Sequence, residues 1–178
     1  MTPRNKPRIF ITLHPRGKNS LGKNRTRLGY SAYHWGILIS PKHPTPSAEH
    51  THFDVTDSMY IDPLTNGVKD DWRFRGRSSP EPVAAFQILA RVYVGKLAFG
   101  TEGVRGRLSG IALPGRGVEG ENCVSWTREA IGVLGDMGVL GEGFDLMRFM
   151  DVALGFADEC LAGKREMGGV LDYGPTSN

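Results

Sequence analysis

Glu121-Asn122-Cys123-Val124-Ser125-Trp126-Thr127-Arg128-Glu129-Ala130-Ile131 reads as the opening of an amphipathic helix with a cysteine in its first turn. Asn122 suits the N-cap, because its side-chain oxygen accepts a backbone N–H that the first turn leaves unpaired. Cys123, Trp126, Thr127, Ala130, Ile131 and Leu134 recur at helical spacing and form one stripe facing a core. A thiol among unpaired N–H groups at the positive end of a helix favours the thiolate, and hence a nucleophile. The same placement suits a small buried apolar residue, the ordinary role of a free cysteine. The histidines upstream bear on which reading holds.

Working back from Cys123, Tyr30–Ser40 is the clearest strand in the chain. His34, Gly36 and Leu38 share one of its faces, and Trp35, Ile37 and Ile39 the other. Both faces are mostly apolar, so this is a central strand covered on both sides. A histidine there needs a partner, since an unpaired buried imidazole is costly. Gly36 leaves room for close approach, and the helix opening at Cys123 fits that room. On the returning strand, Glu49–Thr56, the run Thr51-His52-Phe53-Asp54-Val55 puts His52 and Asp54 on one face. With the turn centred near His43, His52 lies opposite His34. It can then hold the second ring nitrogen and set the tautomer that a general base needs. Taken alone, His52 also fits an exposed polar position.

The remaining chain sets the frame. Arg8–His14 reads as a buried strand ending at Pro15, preceded by a tail over residues 1–7. Residues 16–28 are basic and glycine-containing and read as a mobile loop. Asp71–Arg75 reads as a short strand and Arg91–Leu97 as another, with Val83–Leu89 open between helix and strand. Arg107–Leu113 is a further strand candidate. The Cys123 helix ends near Gly135, Phe144–Leu161 is the longest helical pattern with Cys160 on its apolar face, and residues 163–178 look like a tail. Residues 8–162 thus form a single α+β domain with an antiparallel sheet packed on helices.

Composition narrows the function classes. A chain of 178 residues, 39% hydrophobic and 23% charged, suits one globular domain, and no apolar run approaches a membrane span. Two cysteines make no disulfide framework, which points to a reducing, cytoplasmic setting with free thiols. Residues 1–48 hold nine Lys/Arg and no Asp/Glu, whereas the rest holds thirteen basic and nineteen acidic residues. Such an arm can attract a weak anionic partner. Nucleic acid fits poorly, because no aromatic residues interleave with Lys18–Arg27 for base stacking.

Two other motifs compete. Gly115-Arg116-Gly117-Val118-Glu119-Gly120 matches the spacing of a dinucleotide fingerprint. Glu119 and Glu121 would set negative charge beside a pyrophosphate, and no strand follows the helix as a βαβ unit requires. A turn delivering Cys123 is the plainer reading, and no cofactor is implied. His50 and His52, with His34 or Cys123, are a metal-ligand alternative that lacks compact spacing for a fourth ligand, so no metal is assigned.

A His-Trp on a central strand, a second histidine on the next strand, and Asn-Cys opening a later helix resemble the permuted branch of the NlpC/P60 papain-like superfamily. That branch includes lecithin:retinol acyltransferase-like proteins, and the PPPDE thiol peptidases are similar in order. The resemblance covers roughly residues 30–135, and a fungal protein family shares its His-Trp and Asn-Cys elements. It implies a papain-like fold with Cys123 as nucleophile, His34 as general base and His52 as the residue orienting that base. Trp35, Asn122 and Trp126 are implied as support around the substrate pocket. Ser125 departs from the pattern, since these families often carry histidine two positions after the cysteine, and the stretch 57–90 is longer than in compact members. The implied function is a thiol hydrolase or acyltransferase acting on an amide, ester or thioester through an acyl-enzyme. The alternative is a binding module on the same fold whose cysteine and histidines are core residues.

Overall fold

The computed structural model describes residues 6–98 and 100–174. In chain order it has β1 (Arg8–Pro15), a 3-10 turn (Gly17–Ser20), α1 (Gly22–Leu28) and a second 3-10 turn (Gly29–Ala32). Next come β2 (Tyr33–Ser40), β3 (His50–Thr56), a small hairpin of β4 (Tyr60–Ile61) and β5 (Val68–Lys69), and β6 (Arg73–Ser79). The chain continues through α2 (Pro82–Phe86), β7 (Ala90–Lys96), α3 (Thr101–Ser109), α4 (Cys123–Asp136), α5 (Leu146–Leu161) and β8 (Gly169–Asp172). Six strands form one sheet in the order β6-β3-β2-β1-β7-β8, antiparallel except for the parallel β7–β8 pair. The architecture is α+β, and among the described residues no helix is long and apolar enough to cross a membrane.

The two faces of the sheet differ in kind. Because side chains alternate along a strand, Ile9, Ile11 and Leu13 of β1 share a face with Trp35 and Ile37 of β2 and Phe53 and Val55 of β3. All are buried in one core with Cys123, Trp126 and Ala130 of α4 and Phe149 and Ala153 of α5. The register then sets the opposite face. Thr12 lies across from Gly36, His14 from His34, Leu38 from His52, Asp54 from Arg75, and His52 from Arg77. A polar layer therefore crosses the four strands β1, β2, β3 and β6. One end is closed by a small apolar cluster of Phe10, Leu38, Phe86 and Ile88, with Phe86 supplied by α2.

Several local expectations change. Residues 16–28 are a 3-10 turn and α1, not a loop. Ser20 is buried and donates to Ala32 O at 2.6 Å, and Arg25 makes a two-pronged bond to Asp158 of α5 at 2.8 and 2.7 Å. The strand expected at Arg107–Leu113 is replaced by α3, because Val104 and Leu108 bury at i,i+4 spacing while Leu113 stays exposed. The C-terminal stretch expected as a tail supplies β8, which pairs with Ala90–Tyr93. At the other end, Leu97 N donates to Pro7 O at 2.9 Å, so the sheet begins one residue earlier than its ladder. Residues 1–5 and 175–178 of the expected tails lie outside the described residues. The stretch Val83–Leu89 resolves into the short helix α2 and the lead into β7, and the strand expected at Asp71–Arg75 runs on as β6 to Ser79.

Candidate functional site

The position of Cys123 follows from the way α4 starts. Asn122 Oδ1 accepts Val124 N at 2.8 Å, and Ser125 Oγ accepts Asn122 N at 2.9 Å. This reciprocal box uses two of the first-turn donors and makes Cys123 the first helical residue, 3% exposed. Ser125, which departs from the histidine of the resembling families, has a structural task here.

The sheet opens where that thiol arrives. Pairing of β2 with β3 covers only Ile37–Ile39 against Thr51–Phe53. Two positions beyond the ladder, the Trp35 backbone N–H donates to the Cys123 sulfur, and the His34 ring hydrogen-bonds the same thiol. His34 Nε2 donates to Asp54 Oδ2 at 2.9 Å, which leaves Nδ1 for the sulfur. Asp54 is fully buried and held from behind by Arg75, whose Nε and Nη2 reach its two oxygens at 2.8 and 2.6 Å. Arg77 Nη2 adds a longer contact at 3.4 Å.

Electrostatics follow from these contacts. Burial alone would lower the His34 pKa, but the bonds to Asp54 and Cys123 outweigh it and raise the ring to about 9. Burial would raise the Cys123 thiol; the His34 bond and charge, the Trp35 N–H and the positive charge of Arg16 bring it below its ordinary value instead. Asp54 is likewise driven well below the usual carboxylate range, burial being overcome by His34 and Arg75. The three shifts favour one state, with thiolate, imidazolium and carboxylate in line.

His52 does not hold His34. It faces Leu38, its Nδ1 is 3.9 Å from Asp54 Oδ2, and that nitrogen has no hydrogen-bond partner. The residue on the second nitrogen of His34 is Asp54. Gly36, expected to admit α4, makes room for His52 instead: a Cβ there would lie 2.6 Å from His52 Nε2. Behind His52 sits His14, a residue the sequence pattern did not single out. His14 Nδ1 donates to Phe86 O at 2.8 Å, so its Nε2 carries a lone pair. That lone pair faces His52 Nε2 at 3.2 Å and Thr12 Oγ1 at 3.0 Å. The contact between the two Nε2 atoms is a hydrogen bond when His52 Nε2 carries hydrogen, so the two rings are neutral and of opposite tautomer, with His52 Nδ1 left unbonded. Burial depresses both, and the charge on His34 adds to the effect on His14, which falls to about 3.

A cleft of about 300 Å³ opens at Cys123 and His34, walled by Arg16, Thr56, Asp57, Ser58, Trp72 and Arg75, with Asn122 at its edge. Trp72 is thus the aromatic wall. Trp35 and Trp126 support from beneath: Trp35 Nε1 donates to Tyr30 O at 2.9 Å, and Trp126 packs on Phe74 at 5.9 Å between centroids. In the turn before α4, Glu121 Oε2 accepts Gly115 N at 2.5 Å, so the chain's own carboxylate fills the place a phosphate would take. Among the described residues no three His, Cys, Asp or Glu side chains converge as a metal site requires. His50 bonds Ser40 Oγ at 2.8 Å instead.

The chain belongs to a family of unknown function, DUF6914, whose pattern matches residues 6–168 and so spans β1 to the turn before β8. No curated protein and no solved structure matches it.

Proposed function

We propose that this protein is a cysteine-dependent hydrolase or acyltransferase acting on an amide, ester or thioester, on a papain-like fold of the permuted NlpC/P60 type. The observation that carries the reading is the hydrogen-bonded line from Cys123 through His34 to Asp54 at the mouth of a cleft. Each part has a task. The thiolate attacks the carbonyl carbon, and the π electrons move onto oxygen as the C–S bond forms. In the first turn of α4, the N–H groups of Asn122 and Val124 are occupied, which leaves the Cys123 N–H to donate to that oxyanion. Collapse expels the leaving group, which takes its proton from His34 Nδ1. The neutral imidazole then removes a proton from water, or from an acceptor alcohol or amine, as that nucleophile attacks the acyl-enzyme. Product release restores the thiolate and imidazolium. Asp54 holds the ring and balances its charge throughout, while Arg75 holds Asp54.

The test is the pH dependence of iodoacetamide labelling of the folded protein, read by mass spectrometry on the Cys123 and Cys160 peptides. Cys123 should label well below the free-thiol pKa of about 8.5. It should also capture an acyl group from an activated ester, and both properties should vanish in His34→Ala. A Cys123 titration near 8.5 that ignores the loss of His34 overturns the reading and leaves a binding module whose cysteine is a core residue.

A further inference from the structure

The basic arm singled out in the sequence lies against the nucleophile. Its residues 16–32 run along the start of α4, and three arginines end up around that helix N-terminus. Arg16 lines the Cys123 cleft, with Nη1 on Ser31 O at 2.7 Å. Arg27 and Arg128 line an adjoining hollow of about 290 Å³ with Tyr30, Ser31, Asn122 and Ser125. Asn122 belongs to both hollows, so they meet at the residue before the nucleophile.

The lining of this second hollow carries two arginines and, among the described residues, no acid. Arg25, two residues before Arg27, is consumed by Asp158, and Arg75 across the cleft is consumed by Asp54. Among the described residues Arg27 has only a 3.4 Å contact to Asn24, and Arg128 lies over the Tyr30 ring at 5.0 Å with its Nε buried and unbonded. Among the described residues no acidic side chain lines the hollow; the carboxylates of Glu121 and Asp151 lie outside its lining, on Gly115 N and the Tyr30 hydroxyl. Two arginine forks, hydroxyls and an asparagine amide around one hollow are the donor set of a carboxylate or phosphate seat.

We infer that the substrate acylating Cys123 carries an anionic group, a carboxylate or phosphate, about one residue from the scissile carbonyl, and that Arg27 and Arg128 bind it. This rests on the thiol reading above and adds a substrate class to it. Asn122, which lines both hollows, is the residue next to Cys123, and neighbouring residues of an extended chain are about 3.8 Å apart, so the group one step along a bound substrate is the one the second hollow can meet.

The test compares two alkylating probes that differ only in charge, N-iodoacetylglycine and N-iodoacetylglycinamide, on the full-length protein with Cys123 labelling as readout. Two charges about 6 Å from a carboxylate, in water, favour the anionic probe roughly tenfold. The preference should fall severalfold in 1 M salt, where the screening length is about 3 Å. In Arg27→Gln with Arg128→Gln the ratio of the two rates should fall severalfold, to what Arg16 in the cleft leaves, and Lys23→Gln, at an exposed position of α1, should keep it. Arg27 is exposed and Arg128 half-buried, and Gln keeps each side chain polar, so the double variant should fold, which its melting curve checks. N-Iodoacetyl-aminoethyl phosphate against its neutral alcohol separates the phosphate source from the carboxylate. If Cys123 labels at low pH but shows no charge preference with either pair, the anionic seat is refuted and the thiol reading stands. If neither neutral probe labels Cys123 below the free-thiol range, both fall together.

Discussion

Asp54→Asn separates the two groups that compete for the task of holding His34. The amide keeps the shape and can still accept from His34 Nε2, but it carries no charge and turns an N–H₂ toward Arg75. An opposite charge in direct contact moves a titrating group by about 1–3 pKa values, so the imidazolium loses about 2 of stabilisation on that scale. The thiolate–imidazolium pair is populated in proportion, and Cys123 alkylation at pH 6 should drop roughly tenfold to a hundredfold. Stability falls as well, since breaking a buried pair costs about 3–5 kcal/mol. Arg75 and Arg77 keep 27% and 38% of their side-chain surface in solvent, so a loss of about 2 kcal/mol is the better expectation. The assay is the full pH–rate profile of iodoacetamide on the folded protein, beside a melting curve that confirms folding. His52→Asn serves as the contrast: its neutral ring stands 3.9 Å from the carboxylate and lends no charge, so its profile should stay with the wild type. A wild-type profile in Asp54→Asn, or an equal shift in His52→Asn, refutes the placement of Asp54 as the residue that holds the base.

The buried histidine pair predicts acid sensitivity. His14 is lowered to about 3 when folded and has about 6.5 when unfolded, so the unfolded chain takes up the proton first and stability is lost as pH falls below about 6.5, down to about 3. At pH 5 this one residue should cost about 2 kcal/mol against pH 8, read from denaturant midpoints, and His14→Asn should flatten that slope; an unchanged slope would place the proton elsewhere. Gly36→Ala should destabilise by about 1–3 kcal/mol through overpacking, because its Cβ would meet His52 Nε2 at 2.6 Å and Phe53 O at 3.0 Å. A neutral melting temperature for that variant would mean that His52 has another place to go.

The parts of the site written in local chemistry were legible. Asn122 before an apolar stripe marks a helix start, and alternation through Tyr33–Ile39 marks a central strand, so Cys123 and His34 could be named. The partner of His34 could not, because it depends on register. A turn centred on His43 sets His52 against His34, whereas the chain turns between Thr45 and Ala48, which share a 2.9 Å hydrogen bond, and His52 meets Leu38. A slip by an even number of residues keeps every side chain on its face while changing its neighbour. Alternation therefore assigns Asp54 the right face and gives it no task. His14 was visible to the same reasoning, since it shares parity with Thr12 on β1, once β1 is known to pair with β2. The arm reads as a loop because α1 buries no residue and has no apolar stripe. Its anchor is an ion pair to a residue 133 positions away, which no local window contains.

Why the site forms at this point of the sheet follows from what each face can carry. The helix face is apolar from Ile9 to Val55 and cannot hold an ion pair at tolerable cost. The opposite face carries Asp54, His52, His14 and two arginines, and is crowded enough that both inner histidines stay neutral. Cys123 comes from the apolar side and Asp54 from the polar side, and an intact β2–β3 ladder would keep them apart. The ladder stops at Ile37, so the Trp35 N–H is left without a strand partner and takes the sulfur instead. The missing pairs between β2 and β3 are thus what joins the two faces. Arg75, fixed to Asp54 from the neighbouring strand β6, keeps the carboxylate in place where β3 has no support from β2.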